Sequence, residues 1–160
     1  MALRFEQIRR QQEDHIREYG FSILSIFGDE SSPPFVYTLG LADVDWPELI
    51  ILGTQQGILA SLAVTELRKS ERIPVASVTL QKTATVPVYL GSVTEANVER
   101  YLCQAVTRRR SRGLPDPAAL QLVFPDREGR YPLEEGYDSK FMDTRQPCLA
   151  PGGVWDYKVT

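Results

Sequence analysis

The stretch ELIILG, residues 48–53, decides the fold that the sequence predicts. Four consecutive apolar residues, Leu49 to Leu52, make both faces of this segment apolar. A strand with one face in water alternates between apolar and polar residues, whereas a short continuous apolar run is typical of a strand covered on both faces. We therefore expect ELIILG to be a central strand of a β-sheet.

The residues before this strand predict one helix and two further strands. Residues 3–18 have sparse apolar positions at helical spacing and end at Gly20, which is typical of a helix stop. FSILSIFG (21–28) predicts a first strand, closed by a turn rich in Gly, Ser and Pro. PFVYTLGLAD (34–43) alternates and predicts a second strand, next to the central one in sequence.

The residues after the central strand predict two helices and three strands. Thr54 is placed where a helix N-cap belongs. VASVTLQK (75–82) and VPVYLGSV (86–93) are rich in Val and Thr and predict a hairpin. Residues 98–112 predict a second amphipathic helix, and residues 119–124 a last strand. The apolar stripe predicted for the helix after Thr54 is Ile58, Leu59, Leu62, Ala63 and Leu67.

This order of elements predicts the fold class. Residues 1–150 are expected to form a single α+β domain with a mixed or largely antiparallel sheet and about three helices. Residues 151–160 are expected to be a C-terminal extension, in which Trp155, Tyr157 and Val159 share one face of a short strand. That strand would join an edge of this domain's sheet or, in a homodimer, the sheet of a second copy.

Composition limits the function classes. The chain has 160 residues, of which 42% are hydrophobic, so it can bury a core without metal or disulfides. Its net charge of −3 argues against general nucleic-acid binding and against anionic membrane surfaces. Cys103 and Cys148 form no CxxC pair, the N-terminus is charged throughout, and no apolar run reaches the roughly 20 residues that span a bilayer. We therefore expect a cytoplasmic protein without a membrane segment.

Few residues have the spacing of known catalytic or metal sites. His15, the one histidine, is expected to be solvated on a helix face rather than part of a catalytic triad. One His and two separated Cys cannot complete the usual zinc ligand sets, so no metal site is assigned and the cofactor is unknown. The string RRRSR (108–112) has the donors to bind phosphate, but basic residues also suit a helix C-terminus, and we expect that second role.

Two stretches are candidate ligand sites. In PFVYTLGL, Thr38 and Gly40 present a small face opposite Tyr37, and a small residue in a strand marks the approach of a ligand or tight packing under a helix. Thr54 follows the central strand and opens a helix, where free N–H groups receive anions, although every helix start offers them.

The stretch LQLVFPDREGRYP, residues 120–132, permits two interpretations. Pro125, Gly129 and an Asp126 carboxylate that accepts nearby N–H groups are sufficient for a structural turn. Alternatively, Asp126 and Arg130 form a polar binding pair at a strand end. In the second interpretation the arginine holds a carboxylate or phosphate, and the aspartate orients it.

The segments GDESSPPFVYTLGL…PELIILG (28–53) and LQLVFPDREGRYP…QPCL (120–149) together resemble a bacterial family called domain of unknown function 4262. The resemblance covers most of residues 19–149 and implies no assigned activity. One difference is that the family commonly has His-Gly-Trp where this chain has Tyr19-Gly20-Phe21, so any catalysis by that histidine would not carry over. The motif positions carried over by resemblance are Asp29, Tyr37, Thr38, Gly40, Pro47, Glu48, Asp126, Gly129 and Arg130.

From these features we predict a domain that binds a small polar or anionic ligand, with nucleotide-like compounds among the candidates. One alternative is a hydrolase that uses carboxylates, with or without Mg²⁺, drawn from Asp29, Glu48, Asp126 and Glu128. Another is a protein-interaction module that uses the arginine-rich helix or the C-terminal strand. We expect Asp126 and Arg130 to lie close to Thr38 around one cleft. The residues predicted to bind the ligand are Tyr37, Thr38, Gly40, Thr54, Asp126 and Arg130.

Overall fold

A computed structural model describes residues 2–138 and 146–154 and shows one sheet with helices on both faces. Its elements are, in chain order, α1 (Ala2–Tyr19), β1 (Ser22–Ile26), β2 (Phe35–Leu39), a 3-10 helix (Leu41–Val44), β3 (Glu48–Leu52), α2 (Gly57–Ser70), β4 (Thr79–Leu80), β5 (Val88–Ser92), α3 (Glu95–Tyr101), α4 (Cys103–Ser111), β6 (Ala119–Val123) and a short 3-10 turn (Pro151–Gly153).

The sheet has six strands in the order β1-β2-β3-β6-β5-β4. The β3–β6 pair is parallel, and the other four pairs are antiparallel. The predicted α+β class and mixed sheet are therefore confirmed. The predicted hairpin is present as β4 and β5, although β4 has only two residues. β3 is central as predicted, and all five of its residues are buried.

Alternate residues of β3 enter two different cores, because successive side chains of a strand point to opposite faces. Leu49 and Ile51 pack in the core under α2, while Ile50 and Leu52 pack in the core under α3 and α4. The unbroken apolar run of ELIILG follows directly from this three-layer arrangement.

The structure corrects three local predictions. The N-cap of α2 is Gln56, not Thr54. Ile58 is 62% exposed, and Leu62 is also exposed, although both were predicted to face the core. The helix predicted over residues 98–112 is two helices, α3 and α4, which meet at Leu102. The residues that α2 does bury are Ala60, Ala63, Val64 and Leu67.

The close approach of α2 to the sheet explains its buried stripe. A Cβ atom on Gly57, the first residue of α2, would lie only 3.1 Å from Cγ2 of Ile23 in β1. At this separation two alanines face the sheet more easily than the larger Ile58 and Leu62. Apolar spacing alone fits both stripes, so the sequence does not choose between them.

Two further expectations concerned the C-terminal strand, with the homodimer built on it, and membrane segments. The predicted terminal strand with Trp155 and Tyr157 lies outside the described residues, so it stays a prediction, as does the homodimer built on it. Among the helices of the described ranges, none combines the length and apolar character that a bilayer crossing requires.

Gly40 links α1 to the sheet. It follows β2 with a φ of 105°, and a Cβ atom there would lie 2.8 Å from Cγ1 of Ile16 in α1. The sequence left two interpretations of this small residue, the approach of a ligand or tight packing under a helix. The structure shows tight packing under a helix. The glycine is required twice, by its backbone angle and by the Ile16 side chain.

We predict that Gly40→Ala lowers the free energy of unfolding by roughly 2–5 kcal/mol, as the sum of backbone strain and overpacking. Urea titration followed by circular dichroism measures this loss. Gly113→Ala is the matched control, since Gly113 also has a positive φ, 69°, but a Cβ atom there meets nothing within 4 Å. It should cost only the backbone part, about 1–2 kcal/mol.

A double variant, Ile16→Ala with Gly40→Ala, separates the two contributions to this loss. Shortening Ile16 should recover the overpacking part in the Gly40→Ala background. Equal losses for Gly40→Ala and Gly113→Ala would show that the contact with α1 has no energetic consequence.

Candidate functional site

Glu48 is an almost completely enclosed carboxylate beside the predicted site residues, with 1% of its surface exposed. Its Oε1 atom accepts hydrogen bonds from the Thr38 hydroxyl at 2.9 Å and from the Leu41 N–H at 3.1 Å. Its Oε2 atom accepts from the N–H groups of Gly40 and Ala42, both at 3.1 Å. The carboxylate therefore holds the end of β2 and the start of the 3-10 helix to β3.

Burial raises the pKa of Glu48 to about 6, against the lowering effect of its four donors. No cation pairs with it among the described residues. A buried carboxylate needs such hydrogen bonds to be tolerated at all. With both oxygens occupied and no access to solvent, Glu48 has no free atom for a ligand or a catalytic proton transfer.

Thr38 is fully buried beside Glu48, so the expectation of an open face at this position is wrong. Its hydroxyl donates to Glu48 and also accepts a hydrogen bond from the Leu49 N–H at 2.8 Å. The neighbouring Tyr37 is equally enclosed, and its hydroxyl accepts from the Gln104 N–H at 3.1 Å. Burial raises the pKa of Tyr37 to about 12.

Of the two interpretations of residues 120–132, a structural turn or a polar binding pair, the contacts of Asp126 are those of a structural turn. Its Oδ1 atom accepts from the N–H groups of Glu128 and Arg130, both at 2.9 Å, and its Oδ2 atom from the Asp138 N–H at 2.9 Å. Burial raises the pKa of Asp126, but these three donors more than offset it and lower the pKa overall. The Arg130 side chain donates to the Gly136 carbonyl oxygen at 2.8 Å rather than to Asp126.

The strand register separates the two predicted halves of the cleft. Glu48, which holds Thr38, lies opposite Ala119 at the start of β6. Asp126 is seven residues further along, beyond the end of β6, which corresponds to roughly 20 Å at the rise of a strand. Thr38 and Asp126 therefore lie towards opposite ends of the sheet, and the expectation that they share a cleft is wrong.

Thr54, the last predicted ligand residue, is also buried, and its hydroxyl accepts from the Gln56 N–H at 3.0 Å. The polar atoms of the predicted residues thus serve mainly to hold the fold. Whether any of the six also binds a ligand stays a prediction.

Arg108, Arg110 and Arg112 of the arginine run form ion pairs, and Arg109 donates to the backbone carbonyls of Pro115 and Ala42. Arg108 donates through Nε to Glu13 and through Nη1 to Asp43, both at 2.8 Å, and these hydrogen bonds lower the pKa of each acid. Arg110 pairs with Asp116 at 2.8 Å. The run therefore joins α4 to α1 and to the 3-10 helix. Because Arg108 and Arg110 are both paired with acids, they do not form a cluster of unpaired cations that could bind phosphate.

The carboxylates proposed for the hydrolase alternative also form no cluster among the described residues. The Asp29 carboxylate accepts from the N–H groups of Ser31 and Ser32 and from the Ser31 hydroxyl, all within 2.9 Å. The Ser31 bonds contribute most to lowering the pKa of Asp29. Throughout the described ranges, no group of three or more His, Cys, Asp or Glu side chains is placed to hold a metal ion.

A cavity of about 680 Å³ lies elsewhere, between α1, β1 and α2. Sequence reasoning did not find it, because its residues come from three elements and follow no shared motif. The only available signals were the solitary His15 and the Tyr19-Gly20-Phe21 departure from the family pattern. The cavity is lined by His15, Glu18, Tyr19, Phe21, Ser22, Ile23, Ser61, Thr65 and Arg68.

Arg68 contacts two other residues that line this cavity. Its Nη2 atom donates to the carbonyl oxygen of Tyr19, the last residue of α1, at 2.8 Å. Its guanidinium carbon lies 5.2 Å from the centre of the Phe21 ring. Within the described residues it forms no ion pair. A guanidinium has five N–H donors, so most of them are free to bind a ligand.

Ser22 contributes a second polar group to the cavity wall. The residue is 4% exposed, and its hydroxyl has no hydrogen-bond partner within the part of the chain that is described. Most buried polar groups in proteins are hydrogen-bonded. A buried hydroxyl on the wall of an open cavity is therefore available to a polar ligand.

Comparison with protein families matches residues 15–138 to a model described as a domain of unknown function, DUF4262. The matched range includes every residue that lines the cavity, as well as Glu48 and Asp126. Searches among curated proteins and among solved structures found no significant match.

We predict that Glu48 makes the protein less stable as the pH rises from 4.5 to 6. Its pKa is about 6 in the folded chain against an ordinary value of 4.5, so the folded state binds this proton more tightly than the unfolded state. The contribution of Glu48 to the free energy of unfolding, roughly 2 kcal/mol, is fully present below pH 4.5 and is lost as the pH rises through 6. Urea titrations across this range measure it.

Glu48→Gln should remove this pH dependence and lower stability at every pH, because its amide NH₂ would face N–H donors. Glu30→Gln, at an exposed position, is the control and should keep the wild-type slope. A slope that survives in Glu48→Gln would assign it to another group.

Proposed function

Because this chain belongs to the DUF4262 family, whose description names no activity, we propose a function from the site alone: the domain binds a small anionic ligand in the cavity between α1, β1 and α2. The observation that supports this proposal is the Arg68 guanidinium, which lines the cavity without a carboxylate partner among the described residues.

The chemistry of Arg68 favours an anion. A guanidinium binds a carboxylate or a phosphate through two parallel N–H groups. The Tyr19 carbonyl and the Phe21 ring restrict its orientation. Less side-chain entropy is then lost when a ligand binds, which favours affinity.

The cavity also has the dimensions of a small-molecule site. Its volume of about 680 Å³ lies within the usual range for such sites, roughly 300–1,000 Å³. Phe21, Tyr19 and Ile23 supply apolar surface, and the hydroxyls of Ser22 and Ser61 supply polar groups. This mixture of apolar wall and few polar groups is typical of binding sites for small ligands.

Arg68 also has a structural role. Its hydrogen bond to Tyr19 satisfies a carbonyl at the end of α1, where a cation is favourable. That role accounts for one N–H group of the guanidinium. It does not account for the cavity beside it or for the unpartnered hydroxyl of Ser22, so we infer binding as a second role.

We predict that small anions bind in this cavity. Arg68→Ala should lower their affinity about tenfold, the equivalent of roughly 1.4 kcal/mol. The probes are acetate, inorganic phosphate and adenosine monophosphate, titrated into the labelled protein and followed by NMR shifts. The signals of Phe21, Ser22 and Ser61 should move most. Arg68→Lys should lose part of the affinity, since an ammonium cannot bind bidentately.

Lys69→Ala is the matched control, because Lys69 lies on the same helix, carries the same charge and does not line the cavity. It should leave affinity nearly unchanged. Ser22→Ala leaves the hydrogen bond between Arg68 and the Tyr19 carbonyl in place. It should also lower the affinity for the anions. Equal effects of Lys69→Ala and Arg68→Ala, or shifts confined to other surfaces, would refute the proposal.

A further inference from the structure

Glu18 lines the same cavity as Arg68, and neither residue forms an ion pair with any described residue. The two also do not pair with each other, so their charged atoms are more than 4.0 Å apart. Nearby acids on α1 behave differently, since Glu13 pairs with Arg108 and Asp14 with Arg17. The cavity thus has one unpaired acid and one unpaired base on its walls.

Two separated charges of opposite sign match a ligand that carries both signs. A ligand with only negative charge would be attracted by Arg68 and repelled by Glu18. Building on the proposed function, we propose that the ligand is a small amino-carboxylate compound: its carboxylate binds Arg68, and its ammonium binds Glu18. Glu18 is then the residue that determines specificity.

The remaining walls suit each end of such a ligand. The buried Ser22 hydroxyl is free to donate to the second oxygen of a carboxylate. The ring of Tyr19, 56% exposed and on the same wall as Glu18, offers a face to the ammonium. The ring of His15 lies 6.1 Å from that of Tyr19 and extends the same wall. His15, Glu18 and Arg68 are the charged or titratable groups of the cavity besides the Tyr19 phenol.

The experiment compares ligands that differ by one charge. Glycine, β-alanine, 4-aminobutyrate and 6-aminohexanoate vary the distance between ammonium and carboxylate, and NMR titration gives the affinity of each. The N-acetyl derivative of the best ligand removes its cation. We expect the amino-carboxylate to bind about three- to fivefold more tightly than its N-acetyl derivative, the upper part of the range for an exposed charge pair.

Glu18→Gln should reduce that ratio to about one while leaving binding of the N-acetyl derivative at least as tight as in the wild type. Glu6→Gln is the matched control, because Glu6 lies on the same helix, is exposed and does not line the cavity. It should keep the wild-type ratio.

The possible failures are distinguishable. If N-acetyl derivatives or phosphate bind as tightly as amino-carboxylates in the wild type, or if Glu18→Gln leaves the ratio unchanged, the zwitterion proposal is wrong and anion binding at Arg68 stands. If none of these compounds binds at the cavity, both proposals are wrong.

Discussion

The hydrogen-bonding requirement of the buried Glu48 carboxylate is the constraint on which the rest of the structure depends. Its four donors come from the end of β2 and the start of the 3-10 helix, so satisfying one side chain determines how β2, the turn and β3 meet. The turn then places Asp43 against Arg108, which also pairs with Glu13 and thereby holds α4 and α1. Gly40, within the same turn, provides the space into which Ile16 of α1 packs.

The same requirement operates along β6 and just beyond its end. Gln121 of β6 is fully buried, donates to the Pro147 carbonyl oxygen at 2.7 Å and accepts from the Leu149 N–H at 3.0 Å. Gln146 both accepts from and donates to the backbone of Phe124. The buried polar residues of the two motifs are therefore hydrogen-bonded within the chain, whereas others, such as Asp29, Arg127 and Arg130, are exposed. These buried motif residues satisfy polar groups within the fold and do not by themselves indicate a reaction.

We then expect function among side chains that the fold holds in place and whose polar groups it uses only in part. The cavity at Arg68 has this character, because its charged residues extend from helices whose opposite faces pack against the sheet. Tyr19 and Phe21, where the chain differs from the family pattern it resembles, form part of this wall.

The sequence by itself determined the features that depend on neighbouring residues. These are the central strand, from the unbroken apolar run of ELIILG, the α+β class, and the turn at Asp126, whose partners at Glu128 and Arg130 are close in sequence. Only the tertiary structure decided which face of α2 is buried, that Thr38 binds Glu48, and that residues 15–23 meet residues 61–68 around a cavity. The physical reason is that periodicity and turn chemistry report local burial and local hydrogen bonds. Strand order and register, which bring distant side chains together or separate Thr38 from Asp126, depend on the packing of the whole chain.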